Sequence, residues 1–423
     1  MLFYFIEDNT LCFKLKLGIL KMNNWYILAY LTSMRNKVVK KTCSITLGFI
    51  VSVPMTCAVA QVARVIPAPE IDVTSYILMD QNTGFLLGEK NADQRVEPAS
   101  ITKIMTTYVA GHALREGLIN LEDEVSISTK AWQTGGSKMF IEAGKKVTVD
   151  ALLDGVIVIS GNDASVALAE HIAGTEQTFS AMMNDYAKQL GMVNSNFANA
   201  SGYPDPETYV SARDVAVLSR ALIREFPALY MRFSKKEYTF NNIKQPNRNR
   251  LLFRDNSVDG IKTGHTQSAG YCLVSSAIRE DVRLIAVVMG SSSDGARTDS
   301  SQSLINYGYR FFESKKFYRA GDKISSQTIW RGSADSVPVG VLHDVDLVIP
   351  RGTESRVEIK IEIDKPVLAP LEIGQSVGTL DIFLDEKLLS KVPLVSLENV
   401  EEGSFFSRLW DDLILFFEFL FAV

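Results

Sequence analysis

Apolar residues along this chain first cluster in short runs, then recur at helical spacing, then return to short runs. Tyr76-Ile77-Leu78-Met79 and Phe85-Leu86-Leu87 flank the polar stretch Asp80-Gln81-Asn82-Thr83-Gly84. Two apolar runs around a turn rich in Asn and Gly predict a β-hairpin. From there to Leu222 the pattern is mostly helical. One helix should begin near Ser100 and continue past Tyr108, another should cover Asp163 to Ala173, and a third should follow the N-cap Ser211 from Ala212 to Ile223. Strand texture returns after Asn256, where the runs from Gly270 to Ser276 and from Leu284 to Met289 are joined by the polar turn Arg279-Glu280-Asp281. A last helix is predicted from about Asp299 to Phe312. Helices inserted between strands far apart in the chain predict one mixed α/β domain, placed at residues 66–316 behind the linker Ile66-Pro67-Ala68-Pro69.

The texture changes at residues 317–400. Runs such as Val345-Asp346-Leu347-Val348-Ile349 and Val357-Glu358-Ile359-Lys360-Ile361 alternate with Gly and Pro turns, and no helix-period segment is evident. This predicts a small second domain of antiparallel sheet. In residues 401–423 the apolar residues Phe405, Phe406, Leu409, Trp410, Leu413, Ile414, Phe416, Phe417, Leu420 and Phe421 share one helical face, with Ser404, Arg408, Asp411 and Glu418 on the other. Such a helix is too short and too charged to span a bilayer but can lie in its interface. Its acidic polar face departs from the Lys/Arg-rich norm, so apolar burial would carry the binding.

Residues 34–60 have the form of a secretory signal. Arg35, Lys37, Lys40 and Lys41 precede the apolar run from Ile45 to Val53, and Ala58-Val59-Ala60 is a small-x-small cleavage site that makes Gln61 the mature N-terminus. Residues 1–33 do not fit such a signal, whereas Met34 sits directly before the basic region; translation is therefore expected to start at Met34, with 1–33 a misassigned extension.

Composition narrows the function. A chain of 423 residues with 46% hydrophobic and 22% charged residues is ordinary globular protein. The net charge of −5 argues against nucleic acid as a partner. Of Cys12, Cys43, Cys57 and Cys272 only the last lies beyond the leader, so the mature chain is expected to hold no internal disulfide. His112, His171, His265 and His343 show no metal-ligand spacing, and no metal site is expected.

Three short motifs carry candidate chemistry. In Ser100-Ile101-Thr102-Lys103 the Ser and Lys stand one helical turn apart. A serine hydroxyl needs a base to become a nucleophile, and a lysine serves only if burial or nearby positive charge lowers its pKa. Ser160-Gly161-Asn162 lies between two helical stretches; its Ser can relay a proton and its Asn can hold a substrate amide. Lys262-Thr263-Gly264 is expected to open a strand, with Gly264 allowing a substrate backbone to lie along the edge, Lys262 supplying charge and Thr263 a hydroxyl for a carboxylate. Alone, each motif has a bland reading: a solvent-facing helix turn, an N-cap turn, a polar strand end. Each pattern occurs once, in the order S-x-x-K, S-x-N, K-T-G that marks β-lactamases and penicillin-binding proteins.

From about Glu70 onward the chain resembles low-molecular-mass penicillin-binding proteins, the serine D-alanyl-D-alanine carboxypeptidases. The likeness includes Ser75-Tyr76-Ile77-Leu78, Pro98-Ala99-Ser100, Ser211-Ala212-Arg213-Asp214, Gln245-Pro246-Asn247-Arg248-Asn249 and Asp259-Gly260-Ile261-Lys262-Thr263-Gly264-His265-Thr266. The resemblance implies a mixed α/β, β-lactamase/transpeptidase-like catalytic domain with a small C-terminal all-β domain and an amphipathic anchor. It implies removal of the terminal D-alanine from peptidoglycan pentapeptide stems through an acyl-enzyme, acylation by β-lactam antibiotics, and no cofactor. Ser100 would attack, Lys103 would act as base, and Ser160, Asn162 and Lys262 would complete the catalytic set. Thr263, Gly264, His265, Arg297 and Arg248 would bind substrate, with the backbone N–H groups of Ser100 and His265 forming the oxyanion hole. The protein would be exported and held peripherally on the periplasmic face of the cytoplasmic (inner) membrane.

Three other readings stay open. A D,D-endopeptidase would use the same chemistry on cross-linked peptides. A class A β-lactamase needs a deacylating glutamate, and Glu170 and Glu176 sit too close to Ser160 in sequence for that role. A non-catalytic envelope scaffold would use the sheet domain to bind partners.

Overall fold

The computed structural model describes residues 67–421 and, before them, the backbone of three short strands. The chain divides into two units, residues 1–62 and 63–423. In the first, strands β1 (Phe3–Glu7), β2 (Thr10–Leu15) and β3 (Gly18–Lys21) pair antiparallel in chain order. The expected signal segment, 34–60, lies outside the described residues.

The second unit opens with β4 (Ser75–Asp80) and β5 (Leu86–Lys90), the expected hairpin, whose turn is tied by Asp80 accepting from the Thr83 N–H (2.8 Å) and hydroxyl (2.6 Å). A 3₁₀ turn, Ala99–Thr102, then runs into α1 (Lys103–Arg115). Two small antiparallel pairs in the helical region were not foreseen: β6 (Glu124–Ser126) with β7 (Lys146–Thr148), and β8 (Glu237–Phe240) with β9 (Ile243–Pro246). Their strands of three and four residues are too short to show a period. Between the pairs lie α2 (Asn162–Ala173), α3 (Glu176–Gln189) and α4 (Ala212–Glu225). Ser211 caps α4 by accepting from the Asp214 N–H at 3.1 Å, as its sequence predicts.

β10 (Val258–Thr266), β11 (Gly270–Arg279) and β12 (Val282–Ser291) follow, then α5 (Asp294–Phe311). The sheet order is β10-β11-β12-β4-β5, all antiparallel, so the hairpin from the start of the unit pairs with a strand some two hundred residues away. Alternation explains how the sheet sits. Ile77, Met79, Ile285, Val287 and Met289 face one core with α1, α2 and α4. Tyr76, Leu78, Leu284, Ala286 and Val288 face another with Leu304, Ile305 and Tyr307 of α5. Every residue of β4 is buried, as a strand covered on both faces requires.

Two sequence expectations shift. α5 begins at Asp294 rather than near Asp299, because Ser293 caps it by accepting from the Ala296 N–H at 3.1 Å. The first turn carries no apolar period, so the sequence read as loop. The Lys-Thr-Gly motif lies in the second half of β10 rather than at its start, because the strand already begins at Val258, opposite Ala277.

The C-terminal part is all-β. β13 (Phe312–Tyr318) pairs with β16 (Val345–Pro350), while β14 (Lys323–Thr328), β15 (Ser336–Gly340), β17 (Val357–Ile363), β18 (Ser376–Leu384) and β19 (Lys387–Ser396) form a sheet ordered β14-β15-β19-β18-β17. β13 follows α5 without a break and crosses the boundary drawn at residue 317. Phe312 and Val348 pack into the core beneath α5, so the two parts share apolar surface. The last element is α6 (Phe405–Phe421).

Candidate active site

Ser100 sits on the 3₁₀ turn that leads into α1, after Ala99, whose backbone is left-handed (φ +48°). The turn is pinned from both sides. Glu97 accepts from the Thr266 hydroxyl (2.7 Å) and from the Ser268 hydroxyl, which ties it to the end of β10. A Cβ on Gly264 would stand 2.8 Å from the Pro98 carbonyl oxygen. The close approach that Gly264 permits on that face is thus made by the chain's own Pro98–Ile101 segment.

α1 is buried along nearly its whole length, which carries Lys103 into the interior at 1% exposure. Its Nζ lies 3.0 Å from Ser100 Oγ, donates to Asn162 Oδ1 at 2.7 Å and donates to the Ser201 carbonyl at 2.6 Å. Burial, followed by the charge of Arg248 and opposed by Asp163, lowers the Lys103 pKa to about 7.

Ser160 ends the helical run from Val149 to Ile159 in a left-handed conformation (φ 64°, ψ 34°), and Asn162 then opens α2. This sharp reversal sends the Asn162 side chain back toward α1, where its oxygen meets Lys103 and its amide donates to the Gly135 carbonyl at 2.8 Å. Ser160 Oγ is buried and makes no hydrogen bond to protein.

β10 is an outer strand of the sheet, so its far edge carries unpaired backbone groups. Lys262 is buried and donates to the Thr263 carbonyl at 3.1 Å. Burial first, then the charges of Lys103, Arg248 and Arg297, push its pKa well below the ordinary lysine value. His265 is exposed, its ring 4.0 Å from that of Tyr271. Arg297 projects from α5 behind the strand, buried, and donates to the carbonyls of Gly264 (3.0 Å) and Cys272 (3.2 Å) while pairing with Asp294. Arg248 stands exposed on the other side and donates to Ser137 Oγ at 2.8 Å. Cys272 lies buried opposite Gly264 in β11, where burial raises its thiol pKa to about 11.

The sequence did not point to the Ser201 carbonyl or the loop from Gly135 to Ile141, which contact Lys103 and Asn162, or to Asp163, which holds that loop. Backbone acceptors leave no signature in a sequence. Glu176 pairs with Lys130 (2.7 Å) and accepts from the Ala200 N–H (3.2 Å). Among the described residues no group of three or more His, Cys, Asp or Glu could hold a metal ion. A cleft of about 630 Å³ lined by residues such as Asp80, Arg279, Tyr309 and Lys316 contains no motif residue.

The profile of the D-alanyl-D-alanine carboxypeptidase family matches residues 62–293, and that of the penicillin-binding protein 5 C-terminal domain matches 312–402. The chain belongs to the D-alanyl-D-alanine carboxypeptidase family. It is 43% identical over 362 residues to the D-alanyl-D-alanine carboxypeptidase DacC of Escherichia coli, covering 84% of this chain and 90% of that one. The crystal structure of penicillin binding protein 5 from Haemophilus influenzae superposes with a TM-score of 0.75 at 44% identity, covering 80% of this chain and all of that one. The ampicillin-bound penicillin-binding protein D2 of Listeria monocytogenes superposes at 0.54 with 26% identity, over 58% of this chain and all of that one. The carboxypeptidase fold, a mixed α/β catalytic domain followed by an all-β domain, is therefore the one read from the sequence. The protein is a serine carboxypeptidase, a hydrolase of D-alanyl-D-alanine.

Proposed function

We propose that Ser100 is the nucleophile and Lys103 its general base. The supporting observation is the set of three contacts at Lys103 Nζ. A neutral amine has two hydrogens and one lone pair. The hydrogens are taken by Asn162 Oδ1 and the Ser201 carbonyl, which leaves the lone pair for the Ser100 hydroxyl 3.0 Å away. A pKa near 7 keeps much of the amine neutral at physiological pH. Ser100 attacks the carbonyl between the last two D-alanines of a peptidoglycan stem, and its proton passes to Lys103. The backbone N–H groups of Ser100 and His265 hold the oxyanion. Ser160 and Lys262 carry the proton on to the departing D-alanine, and water then cleaves the ester. A β-lactam acylates Ser100 by the same attack.

Substrate lies along the free edge of β10, positioned by Asn162, Thr263 and the Gly264 backbone. Its terminal carboxylate meets Thr263 and Arg248. Arg297, committed to two carbonyls and Asp294, contributes positive charge from behind the strand rather than a direct grip.

The division into residues 66–316 for catalysis, 317–400 for the sheet domain and 401–423 for anchoring belongs to the same reading, with export directed by 34–60 to the periplasmic face of the cytoplasmic membrane. No helix among the described residues is long and apolar enough to cross a membrane. α6 exposes Phe405, Phe406, Leu409, Trp410, Leu413, Phe416, Phe417 and Leu420, a surface suited to the bilayer interface. The test of the whole reading is incubation with a pentapeptide stem, followed by mass spectrometry. Release of one D-alanine supports it. Cleavage of cross-linked dimers alone would move the activity to a D,D-endopeptidase, and fluorescent penicillin labelling that survives Ser100→Ala would remove Ser100 from its role.

A further inference from the structure

Asp163 follows Asn162 on α2 and is 1% exposed, yet the reaction steps above do not use it. Its Oδ1 accepts from the backbone N–H of Met139 at 2.8 Å and from that of Ala164 at 2.9 Å. Its Oδ2 accepts from the N–H of Phe140 at 2.9 Å and of Ile141 at 3.4 Å. Three of these donors belong to the loop 135–141, which has no regular structure to hold it. Asn162 grips the same loop, its amide donating to the Gly135 carbonyl (2.8 Å) and its backbone N–H to the Ser137 carbonyl (2.7 Å). The loop in turn carries Ser137, whose Oγ accepts from Arg248, and the Lys138 carbonyl, which accepts from Gln245 at 3.1 Å.

Two charged groups act on Lys103, Arg248 on the 247–249 segment and Asp163 on α2, and Lys103 in turn acts on Lys262 of β10. Arg248 is a cation, and Asp163 is the carboxylate that opposes it.

We propose that Asp163 is a positioning residue for the carboxypeptidase reaction: it holds the 137–141 wall that presents Ser137 to Arg248, and it follows directly on Asn162, whose side chain holds Lys103, so that its carboxyl acts on that amine. The proposal rests on Lys103 as base and Arg248 as a substrate contact. It goes beyond them by assigning the residue that sets both.

The test is Asp163→Asn, which keeps the shape and removes the charge. Acylation by fluorescent penicillin should slow about 10- to 100-fold, the loss that misplacement of a reacting group causes. The KM for a pentapeptide stem should rise. The acidic limb of the rate–pH curve should move to lower pH, because removing a negative charge makes protonation of Lys103 harder. A lower rate or melting temperature with the limb unmoved would mean a purely structural role and overturn the proposal. Ser137→Ala, at a partly exposed position, removes only the link to Arg248. It should raise KM for the free-acid stem but not for its C-terminal amide, with the limb in place. An unchanged KM overturns the proposal even where Asp163→Asn does not fold. Lys103→Ala, run alongside, separates the two layers. Wild-type labelling there would sink the base assignment, whereas lost labelling with an unmoved Asp163→Asn limb would sink only the role of Asp163.

Discussion

Lys103 is the residue on which charge and burial meet. As pH rises through about 7 its amine loses its proton, and only that form can accept the Ser100 proton. Acylation is therefore expected to rise with pH through this value and then level off, measured as the rate of fluorescent penicillin labelling. Lys103→Ala should lower that rate by about 10²–10⁴-fold, the usual contribution of a positioned base. Gly202 has a different constraint. Its φ is +72°, and a Cβ there would stand 1.8 Å from the Ala99 carbonyl oxygen. The neighbouring carbonyl, of Ser201, accepts from Lys103, so the backbone cannot yield without moving that side chain. Gly202→Ala is expected to lower the melting temperature and the labelling rate together, through at least the ~1–2 kcal/mol of a left-handed side chain. Calorimetry and labelling of the same preparation check it.

At the scale of elements, α6 explains its own acidic residues. Asp411 accepts from the Arg331 N–H at 2.6 Å, Asp412 pairs with the Arg331 side chain, and the Gly403 N–H donates to the Arg331 carbonyl at 2.8 Å. These two carboxylates face the sheet domain, away from exposed neighbours such as Leu409, Trp410 and Leu413. The ion pair is nearly half exposed and contributes little to global stability. Replacing Asp411 and Asp412 together by Ala should leave the melting temperature and peptide hydrolysis unchanged. It should speed amide exchange in residues 405–413, read by hydrogen–deuterium exchange. Faster exchange would show that these contacts orient the helix; unchanged exchange would show that they do not. The sheet edge is the other element-scale feature. β10 is outermost, and its motif residues lie where the turn bearing Ser100 packs against it. Strand type was legible from the apolar run, but edge position follows only from pairing order.

For the whole molecule, every residue assigned to the reaction precedes α5's end, while the exposed apolar residues of α6 follow residue 404. A chain ending at Gly403 should hydrolyse a soluble pentapeptide at the full rate and lose binding to lipid vesicles, measured by co-sedimentation. A chain ending at Phe311 should be destabilised instead, because Phe312 and Val348 help close the core beneath α5. The amino-acid sequence by itself determined α1, α2, α4 and most of α5, the central sheet strands, the amphipathic tail and the family, because periodicity, caps and contiguous motifs are local properties of the chain. It also placed Ser100 and Lys103 on one turn, since three residues of helix set that spacing. Only the tertiary structure decided that Lys103 is buried against the Ser201 carbonyl, that Gly264 makes room for Pro98, that Arg297 stands behind its strand and that Asp163 holds the loop across from it. Those facts depend on backbone groups and desolvation brought together across tens to hundreds of residues, and neither leaves a mark on the residue types themselves.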